Sequence, residues 1–388
     1  MKCVMIDPSA FTPFYDHFLC NTLTKDVGHL TLISSRYLYT EFLYQRSYLY
    51  YDFFYNITNH LYGKRTSGIL RIPFKGGEHV WDMVRLTNWL IKQHPAIIHF
   101  QWIPFPAIDK YFIRTINRVA PTILTVHDVI PYQNSPSSRL QTMNLRSAFA
   151  EFSHFIVHNQ SSLTALMESY RIPPEDITVI PFGLFDHYHA ATKQGKGSER
   201  SIVITFFGTI KPYKGIDILI KAYAQIPDKL RSATRIVIAG QPKMEIDNLK
   251  RLAVSLGIDD NIQWVTQFIP ENELGLLLSE ADIFVLPYKS FNAQSAALMT
   301  LIPYGKPLIT SDIPGFREII RNNEHGYIVP ANNPGQLAQA LVKIILKPAD
   351  RIRMGLAVKT LAKKEQTWET SARYTAALYR RLLRTRHA

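Results

Sequence analysis

The chain has 388 residues, 46% of them hydrophobic and 19% charged, with a formal net charge of +13. That length and apolar content suit about two globular domains and exclude disorder as the dominant state. No run of about 18 apolar residues occurs, and Cys3 and Cys20 are the only cysteines, so a spanning helix, a disulfide framework and a cysteine-built zinc site are all excluded.

The segment from Met1 to Pro8 carries too short an apolar run for a secretory signal. Strands are predicted at Cys3–Ile6, Leu30–Ser34, Ile69–Phe74, Ile97–Trp102, Thr122–His127, Phe155–His158 and Thr178–Pro181. Helical patterns at Val80–Gln93, Lys110–Val119 and Ser161–Glu168 lie between them. Residues 186–200 lose apolar periodicity and read as a linker. The alternation then restarts. Strands are predicted at Ile202–Phe207, Arg235–Ala239, Ile262–Thr266, Ile283–Pro287 and Pro307–Thr310, with helices such as Gly215–Gln225 and Asn292–Ile302. Two helical stretches follow, about 350–362 and 367–385. The last places Tyr374, Ala377, Leu378 and Leu382 on one face. Strand–helix alternation in two series predicts an α/β protein with two doubly wound parallel-sheet domains.

Most of the positive excess sits at the end of the chain. Residues 351–388 hold ten Lys or Arg and two Asp or Glu. Such a surface attracts phosphate groups or anionic lipid, and a solvated helix face is the plain alternative. Zinc-finger spacing and RNA-recognition signatures are absent from the sequence, so nucleic acid is not the expected partner. From Tyr37 to Tyr62 the chain has eleven Tyr or Phe. These suit sugar stacking or a membrane interface, and ordinary core packing is the commoner explanation. Lys110–Arg118 mixes apolar and basic residues, as an interfacial patch or, more commonly, a half-buried helix does.

Two segments carry the chemistry. Phe206-Phe207-Gly208-Thr209-Ile210-Lys211-Pro212-Tyr213-Lys214-Gly215 follows a strand and opens a helix. Gly208 permits close backbone approach, and two lysines stand near amides that favour anions, a reasonable diphosphate site. The pattern is neither a Walker loop nor a dinucleotide fingerprint. In the second segment a strand ends at Pro287, small residues Ala293, Ser295 and Ala296 open a helix, and Gly305-Lys306-Pro307 leads into the next strand. Ligands of open parallel sheets sit beyond strand C-termini, where both segments lie.

These two segments, together with Ile313-Pro314-Gly315-Phe316-Arg317-Glu318 and Asn323-Glu324-His325-Gly326-Tyr327-Ile328-Val329-Pro330, resemble the C-terminal half of family-4 retaining glycosyltransferases across about 150 residues. In the first half, Thr125-Val126-His127-Asp128-Val129-Ile130-Pro131 resembles the family's histidine loop, and Val179-Ile180-Pro181-Phe182-Gly183 resembles its first-domain end. The resemblance implies a GT-B fold, two Rossmann-like domains with a cleft between them. It implies an acceptor-binding domain over 1–185, the linker 186–200, a donor-binding domain over 201–365, and a final helix, 366–388, that crosses back to the first domain. It carries the catalytic role to His127, Lys211 and Lys214. It carries nucleotide-sugar contacts to Gly208, Thr209, Gln241, Val265, Phe268, Gln294, Ser295, Ala296 and Thr300. His99 and His158 stand at similar strand ends as weaker candidates.

The implied activity is retaining transfer of a hexose, glucose first, from a UDP-sugar to a glycan or lipid-linked acceptor in bacterial polysaccharide synthesis. The resemblance implies no metal, since GT-B enzymes usually need none, and the chain has no Asp-x-Asp motif. The implied location is cytoplasmic, with peripheral contact on the inner face of the plasma membrane. A nucleotide-sugar binding module without activity, a GT-B epimerase and a phosphorylase-type enzyme are the alternatives. Three departures from the family pattern stand out. Asn292 and Thr300 replace a common pair of glutamates, Thr209 replaces a common arginine, and Pro8–Phe14 replaces a Gly-Gly turn.

Overall fold

The computed structural model describes residues 1–38, 44–63, 71–129, 142–186, 201–361 and 366–387. Its chain divides into two compact units, Met1–Gly183 with Trp368–Ala388, and Leu184–Thr367. The expected linker lies outside the described residues from 187 onward.

The first unit is built on seven parallel strands: β1 Lys2–Asp7, β2 His29–Ser35, β3 Leu49–Phe54, β4 Ile97–Phe100, β5 Thr122–Thr125, β6 His154–Val157 and β7 Ile177–Val179. Their order is β3-β2-β1-β4-β5-β6-β7. β1 is central, with Cys3 to Asp7 all buried, because helices cover both faces of a parallel sheet and its middle strands read as continuous apolar runs. The chain leaves β1 in one direction and returns on the other side at β4. The crevice for a ligand in such a sheet lies beyond the C-terminal ends of those two strands.

Residues 71–74 of the strand expected at Ile69–Phe74 begin a 23-residue helix, Arg71–Gln93, while 69 and 70 lie outside the described residues. The short apolar run is equally compatible with a helix start, and periodicity over six residues does not separate the two. The third strand comes instead from the aromatic segment. In β3 the aromatics divide: Phe54 is fully buried, whereas Tyr51 is 46% exposed at the sheet edge. Lys110–Arg118 falls within the helix Pro106–Val119, which buries Ile113 and Ile116 and leaves Tyr111 exposed, a half-buried helix.

The final helix, Trp368–His387, belongs to the first unit. Its buried face is Ser371, Ala372, Thr375, Ala376, Leu378 and Tyr379. Of the expected stripe Leu378 is buried, and the rest is corrected. Tyr374 and Ala377 are exposed, and Leu382 is only half-buried. Small residues one turn apart, Ala372 and Ala376, allow close approach that an apolar count alone does not register. Tyr379 Oη lies 2.7 Å from His99 Nδ1. Arg380 and Arg386 donate to the carbonyls of Asp26 and Arg118, and Arg381 to the Thr178 hydroxyl. Part of the basic end thus clasps its own unit.

The second unit has six parallel strands: β8 Ile202–Phe207, β9 Thr234–Ala239, β10 Ile262–Val265, β11 Ile283–Leu286, β12 Leu308–Ser311 and β13 Gly326–Val329. Their order is β10-β9-β8-β11-β12-β13, so the chain reverses direction between β8 and β11. Register pairs Ile204 with Ile283 and Thr205 with Phe284 at that point. β13 was not among the predicted strands. Its four residues follow a turn and are too few to show periodicity. The helix expected at Asn292–Ile302 is shorter, Ala296–Leu301, with Ser295 as its N-cap. No helix among the described residues is long and apolar enough to cross a membrane.

Candidate active site

The loops beyond β8, β9 and β11 are locked together by backbone. Gly208 N donates to Ala239 O at 3.0 Å, Gly240 N to Val265 O at 2.9 Å, and Ile210 N to Gln241 O at 3.0 Å. Gly240 has φ +147°, and a Cβ there would stand 2.0 Å from the Gly208 carbonyl oxygen. Gly208 itself has φ +130°, and its own Cβ would come 3.3 Å from Ala297 Cβ in the helix Ala296–Leu301. Lys289 N donates to Tyr213 O at 2.7 Å, closing the loop after β11 onto the loop after β8.

Lys214 ends a short 3-10 turn, Pro212–Lys214, and Gly215 follows at φ +69°. A side chain at Gly215 would strike the Pro287 carbonyl, so only glycine lets the chain turn here. The turn drives Lys214 inward to 7% exposure. Its ammonium lies 3.8 Å from the Tyr288 ring centroid, 5.1 Å from that of Tyr213 and 5.6 Å from that of Phe291. Tyr213 and Phe291 stack at 5.4 Å. Lys214 Nζ also donates to Tyr288 Oη. Burial first, and Lys211 second, hold the Lys214 pKa well below the ordinary lysine range.

Ser295 is buried, accepts from Leu298 N at 3.3 Å, and lies 3.1 Å from Tyr288 Oη. Gln294 is buried beside it, and its Nε2 has no hydrogen-bond partner. A buried amide donor without an acceptor costs about 1–3 kcal/mol, which an arriving acceptor would return. Thr209 and Ala296 are exposed, and Gln241, Val265, Phe268 and Lys211 are half-buried. The Thr300 hydroxyl is turned back, donating to Ala296 O at 3.0 Å within its own helix. Lys214, Gly208, Gln241, Val265, Gln294 and Ser295 therefore share one region of the second unit. Thr300 offers no spare donor to it.

His127 belongs to the first unit, beyond β5. Trp102 stacks on it at 5.3 Å and 17°, and Tyr15 meets it edge-on at 4.6 Å. His127 Nε2 lies 2.9 Å from Gln101 Oε1. That oxygen only accepts, so Nε2 carries the hydrogen and Nδ1 keeps its lone pair. Burial, then His158 and His99, hold its pKa well below 6.5, so the ring is neutral. His99 is structural, with Tyr379 on one nitrogen and Thr125 Oγ1 at 2.7 Å on the other. His158 Nδ1 donates to Ile180 O at 2.9 Å, and its buried Nε2 has no partner. Residues 130 and 131 of the histidine loop lie outside the described residues.

The loop in place of the Gly-Gly turn encloses two buried carboxyls. Asp7 accepts from Ser9 N and Thr12 N at 3.3 and 3.1 Å. Asp16 accepts from Thr12 Oγ1 at 3.4 Å. Burial and the neighbouring Asp7 push the Asp16 pKa well above the carboxylate range.

Residues 190–360 match the family of glycosyl transferases group 1, and residues 47–184 match glycosyltransferase family 4. The chain is a family-4 glycosyltransferase of GT-B fold. A D-inositol 3-phosphate glycosyltransferase of Corynebacterium efficiens is 25% identical over 334 residues, 80% of this chain and 74% of that protein. Among solved structures, Anabaena HepE in complex with UDP and glucose is similar with a TM-score of 0.74 at 16% identity, covering 97% of this chain and 99% of that one. Sucrose-phosphate synthase from Thermosynechococcus elongatus is similar with a TM-score of 0.75 at 17% identity, covering 99% and 100%.

Within this glycosyltransferase, the aromatic box around Lys214 was not legible beforehand. Tyr213, Tyr288 and Phe291 are ordinary loop residues in the sequence, and only the turn at Gly215 brings them to one cation. Tyr15 beside His127 was equally silent, because it reaches the ring from the helix Pro13–Val27, whereas Gln101 and Trp102 both follow β4.

Proposed function

We propose that this chain is a retaining, metal-independent hexosyltransferase that uses UDP-glucose as its donor and a glycan or lipid-linked acceptor in bacterial polysaccharide synthesis. The observation that carries the reading is the buried Lys214. It sits beyond the sheet reversal point, beside the buried Ser295 hydroxyl and the unpartnered Gln294 amide. Those groups suit a diphosphate that gathers negative charge as it departs. Preorganised cations and hydrogen-bond donors aimed at such a leaving group lower the barrier. Lys214 and Lys211 take that role, with the loop amides near Ser295. Gly208 leaves room for close backbone approach of the phosphates. Gln241, Val265 and Phe268 are assigned to the nucleoside. The solved UDP and UDP-glucose complexes of Anabaena HepE support the choice of nucleotide and sugar.

Retention is proposed through a front-face route with an oxocarbenium-like species. The departing phosphate oxygen takes the proton of the acceptor hydroxyl, so no protein base is required. His127, neutral in its aromatic setting, is assigned to orient a sugar hydroxyl through Nδ1. The acceptor falls to the first unit. The proposed location is the cytoplasmic face of the plasma membrane, with the basic residues as the peripheral contact.

The test is thermal shift with UDP, GDP, ADP and their sugars, with EDTA present, followed by donor turnover. A ligand at 100 times its Kd stabilises by about 2.7 kcal/mol. A UDP response and glucose release to a glycan acceptor support the reading. A GDP response replaces the donor. Binding without turnover on any acceptor favours the binding-module alternative. Flotation with anionic vesicles tests the membrane contact, and absence of binding at low salt refutes it.

A further inference from the structure

Lys214 is a buried amine that no carboxylate meets among the described residues. The charged and titratable groups around it are few. Its own loop supplies Lys211 and Tyr213. The loop after β11 supplies Tyr288 and Lys289, and Lys289 is paired with Asp217 at 2.9 Å. The adjoining loop after β9 carries Lys243. The short helix Pro314–Arg317 sets Phe316 against Tyr288 at 4.9 Å, with Arg317 paired to Asp312 and Glu318 exposed. The groups nearest Lys214 thus bring it a second cation and three aromatic faces, and no counter-charge.

Tyr288 organises what remains. Its oxygen receives the Lys214 N–H, so its own hydrogen is free to go to Ser295 Oγ at 3.1 Å. Ser295 Oγ also receives Leu298 N–H. With both lone pairs taken, the serine keeps one O–H to donate. The Lys214 nitrogen and a hydroxyl hydrogen are thus fixed together through one buried phenol.

We infer that the site takes up a proton from solvent as it takes up a nucleoside diphosphate, that Lys214 Nζ receives it, and that Tyr288 is the positioning residue holding that nitrogen beside Ser295. The inference rests on the donor-site reading above. Burial and Lys211 disfavour the charged amine before the ligand arrives. The diphosphate then brings the missing negative charge, which favours protonation. Binding and protonation are linked, so affinity falls as pH rises.

The experiment is calorimetric titration with UDP at about pH 8 in buffers of different ionisation enthalpy. The terminal phosphate, with a second pKa of about 6, is already ionised there. Wild type is expected to take up as much as about one proton per UDP. Lys214→Arg keeps its charge throughout and is expected to bind with no uptake. Tyr288→Phe keeps the ring against Phe316 and is expected to raise the UDP Kd about tenfold, the loss of roughly one hydrogen bond to a charged group. It also moves the alkaline fall in affinity to lower pH. A purely structural role for Tyr288 would change melting temperature and leave that pH dependence in place, which overturns the positioning role. UDP binding with heats independent of buffer, or equal uptake by Lys214→Arg, overturns the proton coupling while the donor site stands. Silence toward UDP, GDP and ADP alike overturns the donor-site reading, and this inference with it.

Discussion

Replacing Lys214 by methionine separates its cost to the fold from its use in turnover. Methionine keeps the side-chain length and fills the same aromatic box, with sulfur–ring contacts worth about 0.3–1.5 kcal/mol. Burial disfavours the charged form of this lysine, so the ligand-free fold gives up the solvated charge that the unfolded chain keeps, at a cost in stability. Against this stand its packing against the three rings and one hydrogen bond to Tyr288, worth about 0.5–1.5 kcal/mol between uncharged groups. No carboxylate helps, since Asp217 is engaged with Lys289. The balance favours the variant by about 1–2 kcal/mol. For a unit the size of Leu184–Thr367, that raises its melting temperature by roughly 2–8 °C. Turnover at saturating donor is expected to fall at least tenfold, about 1.4 kcal/mol of barrier. The stabilisation conferred by UDP should largely vanish. Differential scanning calorimetry with and without UDP, beside a donor-turnover assay, reads all three. A lower melting temperature, or turnover within about twofold of wild type, refutes the assignment.

Gly240→Ala forces a Cβ against the Gly208 carbonyl at a positive φ, and is expected to cost about 2–4 kcal/mol in urea unfolding and to weaken UDP binding; wild-type values on both counts would show that the two loops part freely. Tyr379→Phe removes a buried hydroxyl from His99 and should cost about 1–3 kcal/mol, read by denaturant midpoint. His99 and His158 are held down to about 3 and about 4 by burial first. Below about pH 6.5 the unfolded chain binds protons on these histidines that the folded chain refuses, so their contribution to stability is lost as pH falls from there toward those values. Their NMR signals should stay fixed from about pH 8 to 5.5, and a midpoint near 6.5 for either would contradict this burial. Asp16, pushed up by burial and Asp7, works in the opposite sense: the folded state keeps a proton that the unfolded chain releases, and stability is lost as pH rises through the folded pKa. Asp16→Asn should therefore gain stability over wild type at about pH 8 and gain less at about pH 5, with a constant difference across pH counting against the pair.

The sheet cores were legible because parallel strands covered on both faces read as unbroken apolar runs, as Val4–Ile6 and Ile283–Leu286 do. Where a strand lies at an edge that signal fails. β3 is exposed or half-buried from Leu49 to Phe53, and β13 is four residues long. The Ile69–Phe74 expectation failed for a related reason: a short apolar run begins a long helix as readily as it forms a strand, and the sheet edge was filled from the aromatic segment instead. The final helix was legible as amphipathic, but not its face. Its contact is made by Ala372, Ala376 and Tyr379, small residues and one phenol, where a count of larger apolar side chains points elsewhere.

The candidate site divides in the same way. Lys214 and Ser295 were legible separately, each at a strand end before a helix. Their connection was not, because it runs through Tyr288, a residue with no motif of its own. The missing glutamates acquire a physical meaning only when the pieces are joined. Asn292 is exposed and carries no charge, and the Thr300 hydroxyl is spent on its own helix. Asp217, in the first turn of the helix Ile216–Ala224, is bound to Lys289. A carboxylate beside Lys214 would neutralise it in place and compete with an incoming phosphate. Without one, the lysine stays buried at a cost, in a box that holds its position while giving it no counter-ion. A protein that retains such a residue carries strain that only an arriving anion relieves, and the relief is then available as binding energy directed at the group that must leave.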